Sequence, residues 1–466
     1  MKLWHNASQI LQATGDVGSE KLKRSAGFAI ATRVKRALRD EGFTVPGSVV
    51  AALVGGGGNG DDALYALAEL ARRGVATRAL LVGEQAERPA LKELRRQPTA
   101  RIAAAGEADD VEFLAAAGIW IDGIAGVGAS GPLHAEVGLL LSGLAAEIYT
   151  WPAPPTIVAL DVPTGLLSPG PFEGLRADLT LCLGARCEVI LERPEECGLV
   201  ELIELSQALP LGEPTTIQLE HHDTGDYLPQ PDAQSHKYNR GVVALAAGSE
   251  SYPGAAFLCA EGAWDIHPGM VVANVPETYQ ASYIARFPQT LLSEGTWDKH
   301  IDAVVVGPGR RSDRLGAEVD AALAQAEQGT AVVLDAEALA HVTTCRGPVL
   351  LTPHEGELWR LAKRLGVNAP TRRELAGQVA RATGAVVLAK GNITFAATAN
   401  GEIFASIPGE PYLAQAGSGD RLAGTIGAMA AIARPSSQSE LARIAIAATN
   451  LRSERAEPAN AKASQK

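Results

Sequence analysis

Short aliphatic runs that stop abruptly on glycine or aspartate recur along the whole chain, and most lead into a stretch with helical spacing. In the first half they read SVVAALVGGGG from Ser48, VATRALLVGE from Val75, GIWIDGIAG from Gly118, TIVALDVPTG from Thr156 and ADLTLCLGA from Ala177. In the second half they read RGVVALAAG from Arg240, IDAVVVGPGR from Ile301, TAVVLDAEAL from Thr330, GPVLLTPHEGEL from Gly347, GAVVLAKGNIT from Gly384 and GEIFASIPG from Gly401. Between them lie segments such as EKLKRSAGFAIATRVKRALR from Glu20, with basic residues opposite an apolar stripe, and DDALYALAELARRG from Asp61, closed by Gly74. HAEVGLLLSGLAAEI from His134 is a third helix-like segment. Strands alternating with helices predict an α/β fold with parallel, doubly wound sheets. Such sheets bind ligands at the carboxyl ends of their strands, where Asp122 and Asp161 fall.

At 466 residues the chain has room for more than one domain. Leu209 to His236 holds four prolines and no clear period, so it reads as a linker between domains at 1–215 and 226–466. The hydrophobic share of 46% against 20% charged suits a globular chain, and 49 glycines suit many tight strand-to-helix turns. The net charge of −12, with no Lys/Arg-rich run, argues against a nucleic-acid or anionic-membrane surface. Phosphate-bearing small molecules stay open, because helix N-termini hold phosphate without a basic patch. Cys182, Cys187, Cys197, Cys259 and Cys345 have neither disulfide-framework nor zinc spacing. With no apolar core in MKLWHNASQI and no apolar run of membrane length, a cytoplasmic protein is expected.

Ala416-Gly-Ser-Gly-Asp420, running into RLAGTIGAMAAIA, is the sharpest motif. A glycine turn opening a helix aims backbone N–H groups and the positive helix end at one point, an anion hole for a phosphoryl group in transfer. Asp420 at its mouth can take a proton from an attacking hydroxyl, though an ordinary capping Asp fits the same five residues. LLTPHEGEL at Leu350 offers ligand-capable groups or simply an acidic helix start, and Lys390-Gly391 a phosphate contact or a solvent lysine in a turn. Gly55, Gly57 and Gly60 match the G-x-G-x-x-G dinucleotide pattern, and Glu84 could serve its ribose.

In combination, HKYNRGVVALAAGSESYPGAA, VVVGPG, VVLDAEAL, LTPHEGEL, LAKGNIT and AGSGDRLAG resemble the ADP-dependent NAD(P)H-hydrate dehydratases, a ribokinase-like branch. The glycine stretch, IDGIAGVGASGP, VALDVPTGL and ADLTLCLGA resemble the NAD(P)H-hydrate epimerase domain, so the whole chain is similar to the bifunctional NAD(P)H-hydrate repair family. The resemblance implies a Rossmann-like three-layer α/β/α domain followed by a ribokinase-like α/β domain. It implies epimerisation of the 6R and 6S hydrates of NADH and NADPH, and ADP-dependent dehydration of the 6S form to give AMP, phosphate and restored cofactor.

Carried over residue by residue, Asp420 is the base, and Gly417, Ser418 and Gly419 form the anion hole. Lys390, Gly391, Asn392, Ile393 and Thr394 line the nucleotide phosphates, with Mg²⁺ accompanying ADP, while Ala255, Gly309 and His354 hold the hydrate. In the first domain Gly58, Asn59, Gly60, Asp61, Asp62 and the loop Gly126, Val127, Gly128, Ala129, Ser130, Gly131 and Pro132 hold substrate. Asn59, Asp122 and Thr164 match the K⁺ ligands, and Asp161 sits at the reacting ring. A homo-oligomer is the family's habit.

The chain departs from the family at several places. Gly58 and Asp61 stand in the usual N-N-G-G-D loop where Asn and Gly are expected, and Asp61 adds negative charge near a phosphate, unfavourable unless screened. Cys187 replaces a usual lysine, Arg310 and Arg311 replace the usual L-G and add charge near the substrate, and the C-terminal helix lacks the usual His and Gly before a tail that reads as disordered. Rival readings are a ribokinase-like small-molecule kinase with a non-catalytic nucleotide-binding N-terminal domain, a regulatory nucleotide binder, and a hydride-transferring dehydrogenase.

Overall fold

The structure, a computed structural model, describes residues 1–17, 20–83, 86–107, 109–129, 131–228, 230–293, 300–409 and 413–456. The chain divides into two compact units, one of Leu3–Thr215 and one of Met1–Lys2 with Thr216–Lys466. The strands in chain order are β1 (Lys2–Trp4), β2 (Val49–Val54), β3 (Ala76–Leu81), β4 (Ala100–Ala104), β5 (Ile119–Gly123), β6 (Thr156–Leu160), β7 (Leu179–Leu183), β8 (Leu199–Ile203) and β9 (Thr216–Gln218). They continue as β10 (Val242–Ala246), β11 (Met270–Asn274), β12 (Leu291–Leu292), β13 (Ala303–Val306), β14 (Ala331–Leu334), β15 (Val349–Leu351), β16 (Val386–Ala389), β17 (Phe395–Ala397) and β18 (Ile403–Ala405).

The first sheet runs β4-β3-β2-β5-β6-β7-β8, and every pairing in it is parallel. The chain leaves β2 toward β3 and β4, then returns to β5 on the other side, so the crevice between β2 and β5 is the topological switch point. Alternate residues of β2 feed two cores, as a pleated strand requires. Val50, Ala52 and Val54 meet Ile30, Val34 and Leu38 of helix Glu20–Asp40 and Leu64 and Leu67 of helix Gly58–Arg72. Ala51 and Leu53 meet Trp120 and, from helix Ala135–Ile148, Leu141 and Leu144. The result is helix, sheet and helix in three layers.

β4 and β8 escape the aliphatic-run reading for one reason. Both are edge strands with no fully buried residue, and charges such as Arg101 and Glu201 lie within them. An edge strand needs no continuous apolar run.

The second sheet has eleven strands in the order β1-β9-β18-β17-β16-β15-β14-β13-β10-β11-β12. Pairings among β10 to β16 are parallel, but β16-β17 and β17-β18 are antiparallel, which corrects the expectation of a wholly parallel sheet. Two hairpins cause this: residues 390–394 turn β16 back into β17, and Asn400-Gly401, where Gly401 takes φ +96°, turns β17 into β18; Asn-Gly is a strong short-range hairpin signal. The expected linker is also partly structured. Thr216–Gln218 joins the sheet beside β18, and His221–Tyr227 forms a 3₁₀ helix with a capping box.

Helices Pro253–Trp264 and Ser418–Ala433 cross at very close range on one face of this sheet. A Cβ on Gly424 would collide with the Cys259 carbonyl, and one on Gly262 with the Arg421 carbonyl. The small residues of GSGDRLAGTIGAMAAIA therefore set how near the helices approach. No helix among the described residues is long and apolar enough to cross a membrane.

Candidate functional site

In the first unit the β2 strand ends at Val54, and Gly55 to Gly57 turn the chain into a helix that begins at Gly58. Gly58 to Asp62 are thus the first turns of a helix, not a loop. Asn59 donates from Nδ2 to the Leu160 carbonyl at 2.8 Å, tying the helix start to the end of β6. Gly126 lies so close to the Asn59 amide group that no Cβ fits there.

Asp122, buried at the end of β5, accepts from the Thr164 N–H at 2.8 Å and the Thr164 hydroxyl at 2.6 Å. The Ala125 N–H in turn donates to Thr164 Oγ1 at 3.1 Å. Burial raises the Asp122 carboxyl above its ordinary range, opposed by the hydrogen bonds from Thr164 and Ile124. Among the described residues its hydrogen-bond donors are neutral. An oxygen set of Asn59, Asp122 and Thr164 around a buried carboxylate fits a hard cation.

A cavity of about 580 Å³ opens beside these residues. Asn59, Asp62, Gly126, Gly128, Ala129 and Asp161 line it, with Lys23 and apolar residues of the first helices. Asp161 holds a positive φ of 60°, uncommon for a residue with a side chain. Its N–H donates to the Leu181 carbonyl at 2.8 Å, and its Oδ1 accepts from the Leu183 N–H at 3.0 Å. Burial pushes its carboxyl up to about 6. Asp62 is raised well above the ordinary range, by burial first and then by the nearby Asp161 charge.

The loop Gly126 to Pro132 is divided between this cavity and a larger one of about 1570 Å³ on its other side, which Gly131 and Pro132 line. Ser130 and Glu84 lie outside the described residues.

Asp61 does not burden the cavity with a bare charge: it has the screening that the sequence reading made the condition. Its Oδ2 takes the Lys23 ammonium at 2.6 Å, and its Oδ1 the Arg88 Nε at 3.1 Å. Arg88 also donates from Nη2 to the Gly55 carbonyl at 2.7 Å, so the same cation fastens the glycine turn. Cys187 is buried, and its thiol offers no substitute for a lysine.

In the second unit the key groups stand at the carboxyl ends of adjacent strands. Asp335 follows β14, His354 follows β15 and Lys390 follows β16. Lys390 reaches Asp335 Oδ1 at 2.8 Å, and the Thr352 hydroxyl donates to the same oxygen at 2.7 Å. The Lys390 ammonium also lies 3.5 Å from where a Cβ on Gly419 would stand, so it overhangs the start of helix Ser418–Ala433.

Gly417, with φ +88°, is the N-cap of that helix, and no side chain caps it. The simple capping role is therefore excluded for Asp420, which sits within the first turn. Burial and the Asp335 charge raise the Asp420 carboxyl, and Lys390 opposes them. Asp335 is the residue the sequence reading missed. Its run, VVLDAEAL, was legible as a strand, but Lys390 is 55 residues away along the chain.

Arg372 clasps the Lys390 to Thr394 turn, donating to the carbonyls of Lys390 at 2.9 Å and Ile393 at 2.6 Å. Gly391 and Asn392 are exposed, whereas Ile393 and Thr394 are buried. The Thr394 N–H donates to Ser406 Oγ at 2.9 Å. Gly309 packs directly on Ala255. Ala255 and Leu258 lie nearly one turn apart on one helix, and Leu258 stands against Gly417. Gly309, Ala255 and the glycine turn thus share one helix face.

His354 is the N-cap of helix Glu355–Leu365, its Nδ1 accepting from the Gly356 N–H at 3.1 Å with its ring largely exposed. Arg310 does not add charge to this face, contrary to expectation. It is buried in a two-point pair with Glu318, at 2.9 and 2.6 Å. Arg311 lies over the Tyr252 ring, 4.8 Å from its centroid.

A switch-point cavity holding acidic groups, joined in one chain to a second α/β unit with a glycine-turn helix at its strand ends, defines a two-part α/β protein with a candidate site in each part. Residues 243–465 match the NAD(P)H-hydrate dehydratase family, and residues 19–187 the family described as YjeF-related protein N-terminus. The chain is 34% identical over 433 residues to the bifunctional NAD(P)H-hydrate repair enzyme Nnr of Mycobacterium tuberculosis strain H37Rv, covering 90% of this chain and 86% of that one. It is 34% identical over 212 residues to the ADP-dependent (S)-NAD(P)H-hydrate dehydratase of Bacillus subtilis, covering 43% of this chain and 75% of that one. A crystal structure of the ADP/ATP-dependent dehydratase from Bacillus subtilis, co-crystallized with ATP/Mg²⁺, matches at 28% identity and a TM-score of 0.45, over 51% of this chain and 87% of that chain. The chain belongs to the family of bifunctional NAD(P)H-hydrate repair enzymes.

Proposed function

We propose that this chain restores hydrated NADH and NADPH. Residues 1–215 interconvert the 6R and 6S hydrates, and residues 226–466 dehydrate the 6S form at the expense of ADP. Beyond family membership, one observation carries the reading: Lys390, Asp335 and Asp420 converge at the glycine-turn helix start.

In the second unit Asp420 takes the proton of the hydrate's hydroxyl as that oxygen attacks the terminal phosphoryl group of the nucleotide. The backbone N–H groups of Gly417, Ser418 and Gly419, with the helix dipole behind them, hold the charge of the phosphoryl oxygens in flight. Lys390, steadied by Asp335, adds positive charge at the same point. Phosphate then leaves carbon far more readily than hydroxide would: the ring nitrogen expels it with formation of an N1=C6 double bond, and loss of a proton from C5 to solvent returns that electron pair to N1 and leaves the C5=C6 double bond of the reduced cofactor. Gly391 to Thr394, pinned by Arg372, line the nucleotide phosphates, while Ala255, Gly309 and His354 face the hydrate. Mg²⁺ bound with the nucleotide neutralises its phosphates. Lys390 and Thr352 both engage Asp335 at Oδ1, which leaves Oδ2 as the oxygen that would face such an ion.

In the first unit Asn59, Asp122 and Thr164 would hold K⁺, whose charge offsets the buried Asp122 and draws the substrate phosphate. Gly126 to Pro132 cradle that phosphate, and Asp161 faces the reacting ring as acid, base or counter-charge.

The test incubates the protein with mixed 6R and 6S hydrates, with and without ADP. Complete ADP-dependent return of reduced cofactor is expected. Conversion that stops after the 6S fraction removes the epimerase reading, and no ADP-dependent conversion removes the dehydratase reading. Asp420→Asn is expected to lower dehydratase kcat about 100-fold or more.

A further inference from the structure

The first cavity contains two carboxyl groups with an open oxygen, and the reading above uses one. Asp161 has Oδ1 fixed by the Leu183 N–H, while among the described residues its Oδ2 has no hydrogen-bond partner. Asp62 enters from a different wall, three residues after Asn59 on helix Gly58–Arg72. Among the described residues no hydrogen bond or ion pair holds its carboxyl. Its neighbour Asp61 takes both nearby cations, Lys23 and Arg88. A carboxyl lining a ligand cavity, left unpaired while the adjacent one is doubly paired, has its bonding capacity directed at the ligand.

We propose that Asp62 is the second catalytic residue of the epimerase cavity, exchanging protons with the C6 hydroxyl of the hydrated nicotinamide ring in partnership with Asp161. The proposal rests on the epimerase reading of the first unit. The Asp62 carboxyl gives its proton to the C6 hydroxyl. The C6–O bond breaks with its electron pair leaving on water, and the N1 lone pair closes an N1=C6 double bond. A water molecule then adds to the opposite face of C6, the double-bond pair returns to N1, and the Asp161 carboxylate takes the proton that water loses. Nothing is oxidised or reduced. One proton has passed from Asp62 to Asp161, and the reverse direction, or exchange with solvent, resets the pair.

The electrostatics agree with this division. The charged groups acting on Asp62 are Asp161 from the end of β6, Lys23 from helix Glu20–Asp40 and Asp61 on its own helix. Burial and Asp161 favour a protonated Asp62, and burial raises Asp161 to about 6. Two neighbouring carboxyl groups share a proton more cheaply than they carry two charges.

The full-length protein is assayed without ADP, so that dehydration is idle, by following 6R and 6S NADH-hydrate in water enriched in ¹⁸O. Wild type is expected to give a bell-shaped kcat profile and one ¹⁸O at C6 per inversion. Asp62→Asn is expected to lower epimerisation kcat about 100-fold or more, with KM changed less than about threefold and one limb of the bell lost. Asp62→Glu is expected to recover part of the rate, which a merely structural carboxyl would not require. The proposal is overturned if Asp62→Asn keeps kcat within tenfold of wild type, if both limbs persist, or if inversion proceeds without ¹⁸O uptake. Wild type that does not accelerate inversion overturns the epimerase reading itself, and Asp62 falls with it.

Discussion

Asp161 combines a left-handed backbone, an anchored oxygen and a buried charge. Its folded pKa of about 6 stands above its ordinary 3.8, so the folded state binds the extra proton between those values. Stability from this group is fully present at low pH and is lost as pH rises through about 6. Asp161→Asn keeps the shape, tolerates a positive φ and removes the charge. The variant is expected to be more stable than the parent at pH 7.5, by about 1–2 kcal/mol, and to converge with it near pH 4. Urea denaturation at the two pH values measures the difference. Greater stability with lost epimerisation is the signature of a group retained for chemistry.

At the scale of elements, helix Ser418–Ala433 earns its precise seat from small residues. Gly424→Ala places a methyl group against the Cys259 carbonyl, a rigid backbone neighbour. The expected cost is about 1–3 kcal/mol, read from thermal or urea unfolding, with a raised KM for ADP because the helix start moves. This scale also shows what the sequence could announce. Buried parallel strands such as VVAALV and AVVV are continuous aliphatic runs and were legible at once. Edge strands β4 and β8 were not, because one side of each faces solvent. The Asn400-Gly401 hairpin was written in the sequence but lost beneath the alternating pattern around it. The first strand's glycine cluster misled differently, since half of it is already helix.

At the scale of the whole molecule, each set of site residues is complete within one unit. Asn59, Asp62, Asp122, Asp161 and Thr164 all lie in Leu3–Thr215, and Asp335, Lys390 and Asp420 in the other unit. Epimerised hydrate can therefore pass between molecules through solvent. Mixing Asp161→Asn protein with Asp420→Asn protein is expected to restore full ADP-dependent conversion of a mixed hydrate, although neither variant converts it fully alone. Recovery of reduced cofactor, followed by absorbance, checks this. The pairings inside each site span long stretches of chain, 42 residues from Asp122 to Thr164 and 55 from Asp335 to Lys390. Periodicity reveals that such residues sit at strand ends, but only the strand order reveals that they meet.

The Lys23–Asp61–Arg88 cluster makes three positions interdependent. Losing Asp61 would remove a partner from two cations at once, and losing both cations would leave the Asp61 charge uncompensated beside the glycine turn. Substitutions at the three are therefore expected to be non-additive: removing all three together costs less than the sum of removing each alone.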